Sequence, residues 1–150
     1  MIVYSSTKKG FLDDVLGGYV EKQILASFVR ELGHSTGKSE LRSWKESMQY
    51  MSNIMYDSEI PDDVGVAIEY KIPRTSKRID FIITGKDENK NSNAIIIELK
   101  QWSEGVSLSD KDGVLNTKFF GEVNHPSYQA WSYTTLLEDY NENVQEKNIF

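Results

Sequence analysis

The chain has 150 residues, 39% of them hydrophobic and 27% charged, with a net charge of −6, which suits one soluble domain built on a single core. It has no cysteine and two histidines, so disulfides, thiolate zinc sites and histidine-rich metal sites are excluded, and any bound metal is expected to be a hard cation held by oxygen. Membrane spanning and secretion are not indicated: no apolar run approaches the ~20 residues of a membrane span, and the start, MIVYSSTKKG, lacks a secretory h-region. A cytoplasmic protein with no membrane partner is the expectation.

The spacing of Val20, Ile24, Leu25, Phe28, Val29 and Leu32 predicts a first helix over residues 13–33, weakened at its start by Gly17 and Gly18 and closed by Gly33. A second helix is predicted over about 39–56, with Ser39 as N-cap and Leu41, Trp44, Met48, Met51 and Met55 sharing one face. The turn-rich DSEIPDDVG follows. VAIEYKI (66–72) alternates as a strand and stops at Pro73. RIDFIIT (78–84) and NAIIIELKQW (93–102) are apolar and β-branched and read as inner strands. GKDENKNSN connects them. Residues 103–124 read as a loop rich in charge and glycine, and residues 125–141 as a helix with Pro126 in its first turn. EKNIF reads as the opening of a further strand. This order predicts one domain over residues 1–150 of α/β, or α+β, class: a central mixed sheet of three to four strands flanked by helices, with two helices at its N-terminal side.

Two charges stand out against the apolar strands. Along NAIIIELKQW, Ile95, Ile97 and Leu99 face one way and Ile96, Glu98 and Lys100 the other, with Glu98 and Lys100 roughly 7 Å apart. In the preceding strand Ile79, Phe81 and Ile83 share a face and Asp80 lies opposite, beside Glu98 if the two strands are neighbours. Two carboxylates ~4 Å apart repel by about 4 kcal/mol at an effective dielectric near 20, a strain relieved by a proton or a cation between them. A Mg²⁺ ion there would acidify a bound water, and Lys100 could orient that water and stabilise charge on a phosphate. The Glu-x-Lys spacing alone fits an exposed salt bridge as well. Its setting in an isoleucine run, with Asp80 in an equally apolar strand, favours phosphodiester cleavage. The acidic net charge argues against bulk attraction to nucleic acid, but not against a local basic rim around an acidic centre.

RID, IIIELKQW and QAWSY resemble the PD-(D/E)XK nuclease superfamily, the last element resembling the Gln-x-x-x-Tyr helix of its RecB-like branch. The resemblance implies a restriction-endonuclease-like core of helix, three strands, helix and strand. It implies Mg²⁺ or Mn²⁺ held by Asp80, Glu98 and the main-chain carbonyl of Leu99, with Lys100 as the catalytic lysine. Gln129 and Tyr133 would contact substrate near the metal, and cleavage would leave a 5′-phosphate. A further helical acid is implied, and the position stays open between Glu21, in Gly17-x-x-x-Glu21, and Glu40, at the start of the second helix, with Glu69 a third candidate.

A wider set of stretches, SELRSWKESMQYM, IEYKIPRTSKRIDFIITGKDE, ELKQW and HPSYQAWSY, resembles the N-terminal nuclease-like region of a bacterial helicase/ATPase family. That implies nucleic acid, DNA by preference, as substrate, a helicase/ATPase domain as partner in cis or trans, and a chain that is a piece of a longer protein. No phosphate-binding loop of the Gly-x-x-x-x-Gly-Lys-Ser/Thr kind is present. Lys77 and Arg78, with Lys71 and Arg74, fit phosphate contact or a solvated hairpin edge. His125 fits substrate contact or a helix cap. Trp44, Trp102 and Trp131 could stack on bases, though packing is the better reading of the first two. A binding module of the same fold that no longer cleaves and a protein-interaction domain are the rival readings, and a homo-oligomer is left open.

Overall fold

Thr7 ends one element and starts another. It closes strand β1 (Ile2–Thr7), and its hydroxyl accepts a hydrogen bond from the Gly10 N–H at 3.2 Å, capping helix α1 (Lys8–Gly17). The computed structural model describes residues 2–32, 37–102, 105–147 and 149, without the side chains of residues 31, 32 and 38–40. Gly33, the expected cap of the first helix, and His34 lie outside the described residues.

The single helix expected over residues 13–33 is two helices. Gly18 has φ +64°, and its N–H bonds back to Asp14 and Val15, which ends α1; α2 (Val20–Leu32) then starts afresh. Helix α3 (Lys38–Met55) is capped at its start by Gly37 rather than Ser39. Strands β2 (Gly65–Lys71), β3 (Arg78–Lys86) and β4 (Ser92–Ile97) complete a sheet in the order β1-β2-β3-β4, every pair antiparallel. The expected mixed sheet is therefore corrected to an antiparallel one. The β2–β3 and β3–β4 connections are short enough for hairpins, which pair strands antiparallel, and β1 joins antiparallel to β2 after the three helices have carried the chain back.

Two further expectations fail here. β4 is not an inner strand: it closes the sheet as an edge, ends at Ile97, and leaves Ile95 57% exposed. Residues 103–124 are not simply a loop, because β5 (Val106–Leu108), β6 (Val114–Thr117) and β7 (Gly121–Asn124) form a second antiparallel sheet. Gly113 and Gly121, at φ +70° and +65°, serve the turns that lead into β6 and β7. Helix α4 (Pro126–Tyr140) follows, then α5 (Glu142–Lys147). The strand expected in EKNIF is contradicted at Glu146 and Lys147, which are helical, and the Ile149 N–H bonds to the Val144 carbonyl at 3.1 Å. Asn141 supports that helix by accepting from the Asn143 N–H through its side chain.

Helices cover both faces of the four-stranded sheet. On one face Phe11, Val20, Ile24, Phe28, Trp44, Met48, Met51 and Met55 of α1–α3 pack on Val3, Val66, Ile68 and Phe81. On the other, Tyr133, Leu136 and Leu137 of α4 pack with Ile72, Ile79, Ile82 and Ile96. Each large apolar side chain fully removed from water contributes about 1.5–3 kcal/mol. The strand alternation is broken at one place. Ile68 and Phe81 face α1–α3, whereas Tyr70 and Ile79, two residues along each strand, face α4. Glu69 sits at the break with φ +56°. Ile79 thus parts from Phe81 and Ile83, with which the simple alternation had grouped it. No described helix is long and apolar enough to cross a membrane.

Candidate active site

The end of the β3–β4 ladder gathers the chemistry. The last registered pair is Phe81 with Ile97, and one step further sets Asp80 against Glu98. Asp80 Oδ2 accepts the Leu99 N–H at 2.9 Å, so Asp80 also carries the turn of chain beyond β4. Asp80 lines a small cavity of about 140 Å³ together with Trp44 and Ser47 of α3, Glu69 and Leu99. Glu98 reaches toward α4: Gln129 Nε2 donates to Glu98 Oε2 at 2.6 Å and to the Tyr133 hydroxyl at 2.9 Å. The Lys100 ammonium lies 3.4 Å from the same Glu98 oxygen. Four sequence-predicted residues, Asp80, Glu98, Lys100 and Gln129, with Tyr133 behind them, are therefore brought together.

Glu98 is buried to an unusual degree for an acid next to an edge strand. Its side chain is 1% exposed, and its second oxygen, Oε1, is buried without a full hydrogen bond of its own, the nearby Asp80 N–H only easing the carboxylate's charge. Burial and the charge of Asp80 push its pKa up to about 7, against the pull of Lys100. Asp80 is also raised, chiefly by burial, while the Leu99 N–H and the Lys100 and Arg78 charges act the other way. The Tyr133 hydroxyl is raised by burial and by the Glu98 charge. An orphaned carboxylate oxygen beside a second carboxylate is a donor set suited to a hard cation. Among the described residues, however, no three His, Cys, Asp or Glu side chains gather as a metal-holding group.

Glu21 sits half-buried in the first turn of α2, and among the described residues no hydrogen bond or ion pair joins it to Asp80, Glu98 or Lys100. Glu40 lies in the first turn of α3, and its side chain is outside the described residues. Glu69 has a structural occupation. The residue is 7% exposed, and its carboxylate accepts from Trp44 Nε1 at 3.2 Å and from Arg78 at 2.8 Å. Arg78 also stands over the Phe28 ring, 4.8 Å from its centre. The cation read as a phosphate ligand is thus engaged by Glu69 and Phe28. Lys77 is exposed in the β2–β3 turn. His125 caps α4, its Nδ1 accepting the Ser127 N–H at 3.1 Å. Trp44 belongs to the core, while Trp131 is 62% exposed and packs against Tyr128.

One participant carries no sequence signal. Gln101 Nε2 donates to the Ser43 carbonyl at 2.8 Å and to the Ser47 hydroxyl at 3.3 Å, tying the segment that bears Glu98 and Lys100 to α3. No protein-family model, no curated protein and no solved structure matches this chain.

Proposed function

We propose that the chain is a divalent-metal-dependent nuclease domain with a restriction-endonuclease-like core, hydrolysing phosphodiester bonds of nucleic acid, DNA by preference, in the cytoplasm. The observation that carries this reading is the orphaned Oε1 of Glu98, buried against Asp80 with Lys100 alongside. An ionised carboxylate buried without a full set of partners costs several kcal/mol, a cost that a cation held jointly with Asp80 removes. Asp80, Glu98 and the Leu99 carbonyl would hold Mg²⁺ or Mn²⁺. When bound, the ion supplies an acidified water and neutralises charge on the phosphate.

The chain's own groups do the rest. Lys100 holds the attacking water and stabilises charge that develops on the phosphate oxygens. Gln129, anchored on Tyr133, fixes the carboxylate of Glu98 and so acts as a positioning residue. Glu40 or Glu21 would supply the helical acid. The resemblance to the superfamily supports a 5′-phosphate product and a helicase/ATPase partner. The test is incubation with single- and double-stranded DNA and RNA in Mg²⁺, Mn²⁺ or EDTA. Products are expected only with metal, and Lys100→Ala is expected to lower the rate by about 10²–10⁴-fold. Intact substrate in every metal condition with the unaltered chain sinks the reading.

The lack of a third converging acid among the described side chains favours one alternative, a nucleic-acid-binding module that does not cleave. It predicts binding that survives both EDTA and Lys100→Ala with no product formed.

A further inference from the structure

Lys100 stands between two open depressions. One, of about 630 Å³, is lined by Trp102, Phe120, Glu122 and Gln129, and the other, of about 580 Å³, by Trp102, Tyr50 and Glu46. Trp102 lines both. Phe119 and Phe120 form the tip of the β6–β7 turn and are 74% and 73% exposed. Leaving two phenylalanines in water forgoes the burial that drives folding, and adjacent exposed aromatics mark a contact surface.

The turn is also ordered. The Phe120 N–H donates to Thr117 Oγ1 at 3.0 Å, Thr117 Oγ1 donates to the Gly121 carbonyl at 3.1 Å, and the Lys118 N–H donates to the Gly105 carbonyl at 3.0 Å. The backbone that carries the aromatic rings is set before any ligand arrives, which lowers the entropy lost on binding.

The rim acids do not stand unopposed against a polyanion. Glu122 is paired with Lys111 at 2.6 Å and Glu46 with Arg42 at 2.9 Å, so both rim acids are offset. Lys118 lies over the Phe119 ring, 5.5 Å from its centre. Aromatic faces interleaved with lysines bind single strands, because every unpaired base offers a π-face, whereas duplex bases are already stacked on one another.

We propose that Trp102, Phe120 and Tyr50 form a base-stacking site for unpaired nucleotides, one base on each side of Lys100, so that a single-stranded stretch is the form taken at the site. This rests on the nuclease reading for the identity of the reacting phosphate.

Fluorescence anisotropy in EDTA, with labelled oligothymidylate and a labelled duplex, tests it. The single strand is expected to bind at least about tenfold more tightly than the duplex. Phe120→Ala is expected to weaken the single strand about tenfold, with duplex binding and melting temperature unchanged. Equal affinity for duplex, or single-strand binding indifferent to Phe120→Ala, overturns the proposal. So does a concentration-dependent dimer in sedimentation that Phe120→Ala dissolves, which assigns the face to a second copy. A parallel Mg²⁺ cleavage assay separates the two readings. Aromatic-dependent single-strand binding without cleavage keeps the stacking site and rejects the nuclease. Cleavage with no preference for single strands does the reverse.

Discussion

At the scale of single residues, Glu98 and Asp80 govern what can be measured first. Glu98 has its folded pKa pushed up to about 7 by burial and by Asp80, above the ~4.3 of an unfolded glutamate. The folded state therefore holds this proton more tightly. Its contribution to stability is complete below about pH 4 and is lost as pH rises through about 7. The metal-free protein is expected to lose stability between about pH 4 and pH 7 on this account, and Glu98→Gln to flatten that slope in denaturant titrations. A divalent cation competes with the same proton, so the rise in melting temperature caused by Mg²⁺ should grow across the interval. A rise of equal size at both ends speaks against a shared cation.

Asp80→Asn keeps an acceptor for the Leu99 N–H and removes one of two crowded charges. Metal-free stability is expected to be unchanged or higher, with the Mg²⁺ response abolished. Asp80→Ala leaves that N–H without its partner and should cost about 1–2 kcal/mol, read from the shift in denaturation midpoint.

At the scale of elements, the turn between α1 and α2 depends on one backbone conformation. Gly18→Ala forces a side chain into φ +64° and should cost about 1–2 kcal/mol, measurable by thermal or chemical denaturation with the site untouched. The sequence reading did well where apolar periodicity is long. α3, α4, β2 and β3 fall within a residue or two of their expected limits, and the antiparallel β3–β4 register sets Asp80 against Glu98 as the alternation suggested. It did less well elsewhere, for physical reasons. A run such as Ala94–Ile97 has the same composition at an edge as in the middle of a sheet. Strands of three or four residues, such as β5, β6 and β7, are too short to display period two. The two glycines before Tyr19 suggest only a weak helix start, whereas Gly18 in the left-handed region is a stop followed by a new helix. The left-handed Glu69 has no glycine to announce it, so the switch of faces between Ile79 and Phe81 was hidden. The tie from Gln101 to α3 joins residues distant in sequence and has no local pattern.

At the scale of the whole molecule, the sheet lies between α1–α3 and α4, and the candidate site sits where both layers reach the end of one hairpin. Trp44 and Ser47 of α3 approach Asp80, while Gln129 and Tyr133 of α4 approach Glu98. Disturbing either helical layer should therefore be felt at the same two acids. The arrangement has a cost at the margin of the sheet. Among the described residues β4 pairs only with β3, so its outward amide and carbonyl groups stand ready to zip onto a strand of another molecule. Ile95, 57% exposed, adds grease to that margin. Neither a lysine nor a proline interrupts Ser92–Ile97. Ile95→Lys is expected to suppress turbidity during heating of concentrated protein while moving the folding free energy by no more than about 0.5 kcal/mol. Fibrillar or amorphous precipitate of undiminished amount would show that clumping starts elsewhere. Of the three isoleucines in this strand, Ile96 and Ile97 anchor the acidic hairpin to its two cores while Ile95 is left facing whatever molecule comes alongside.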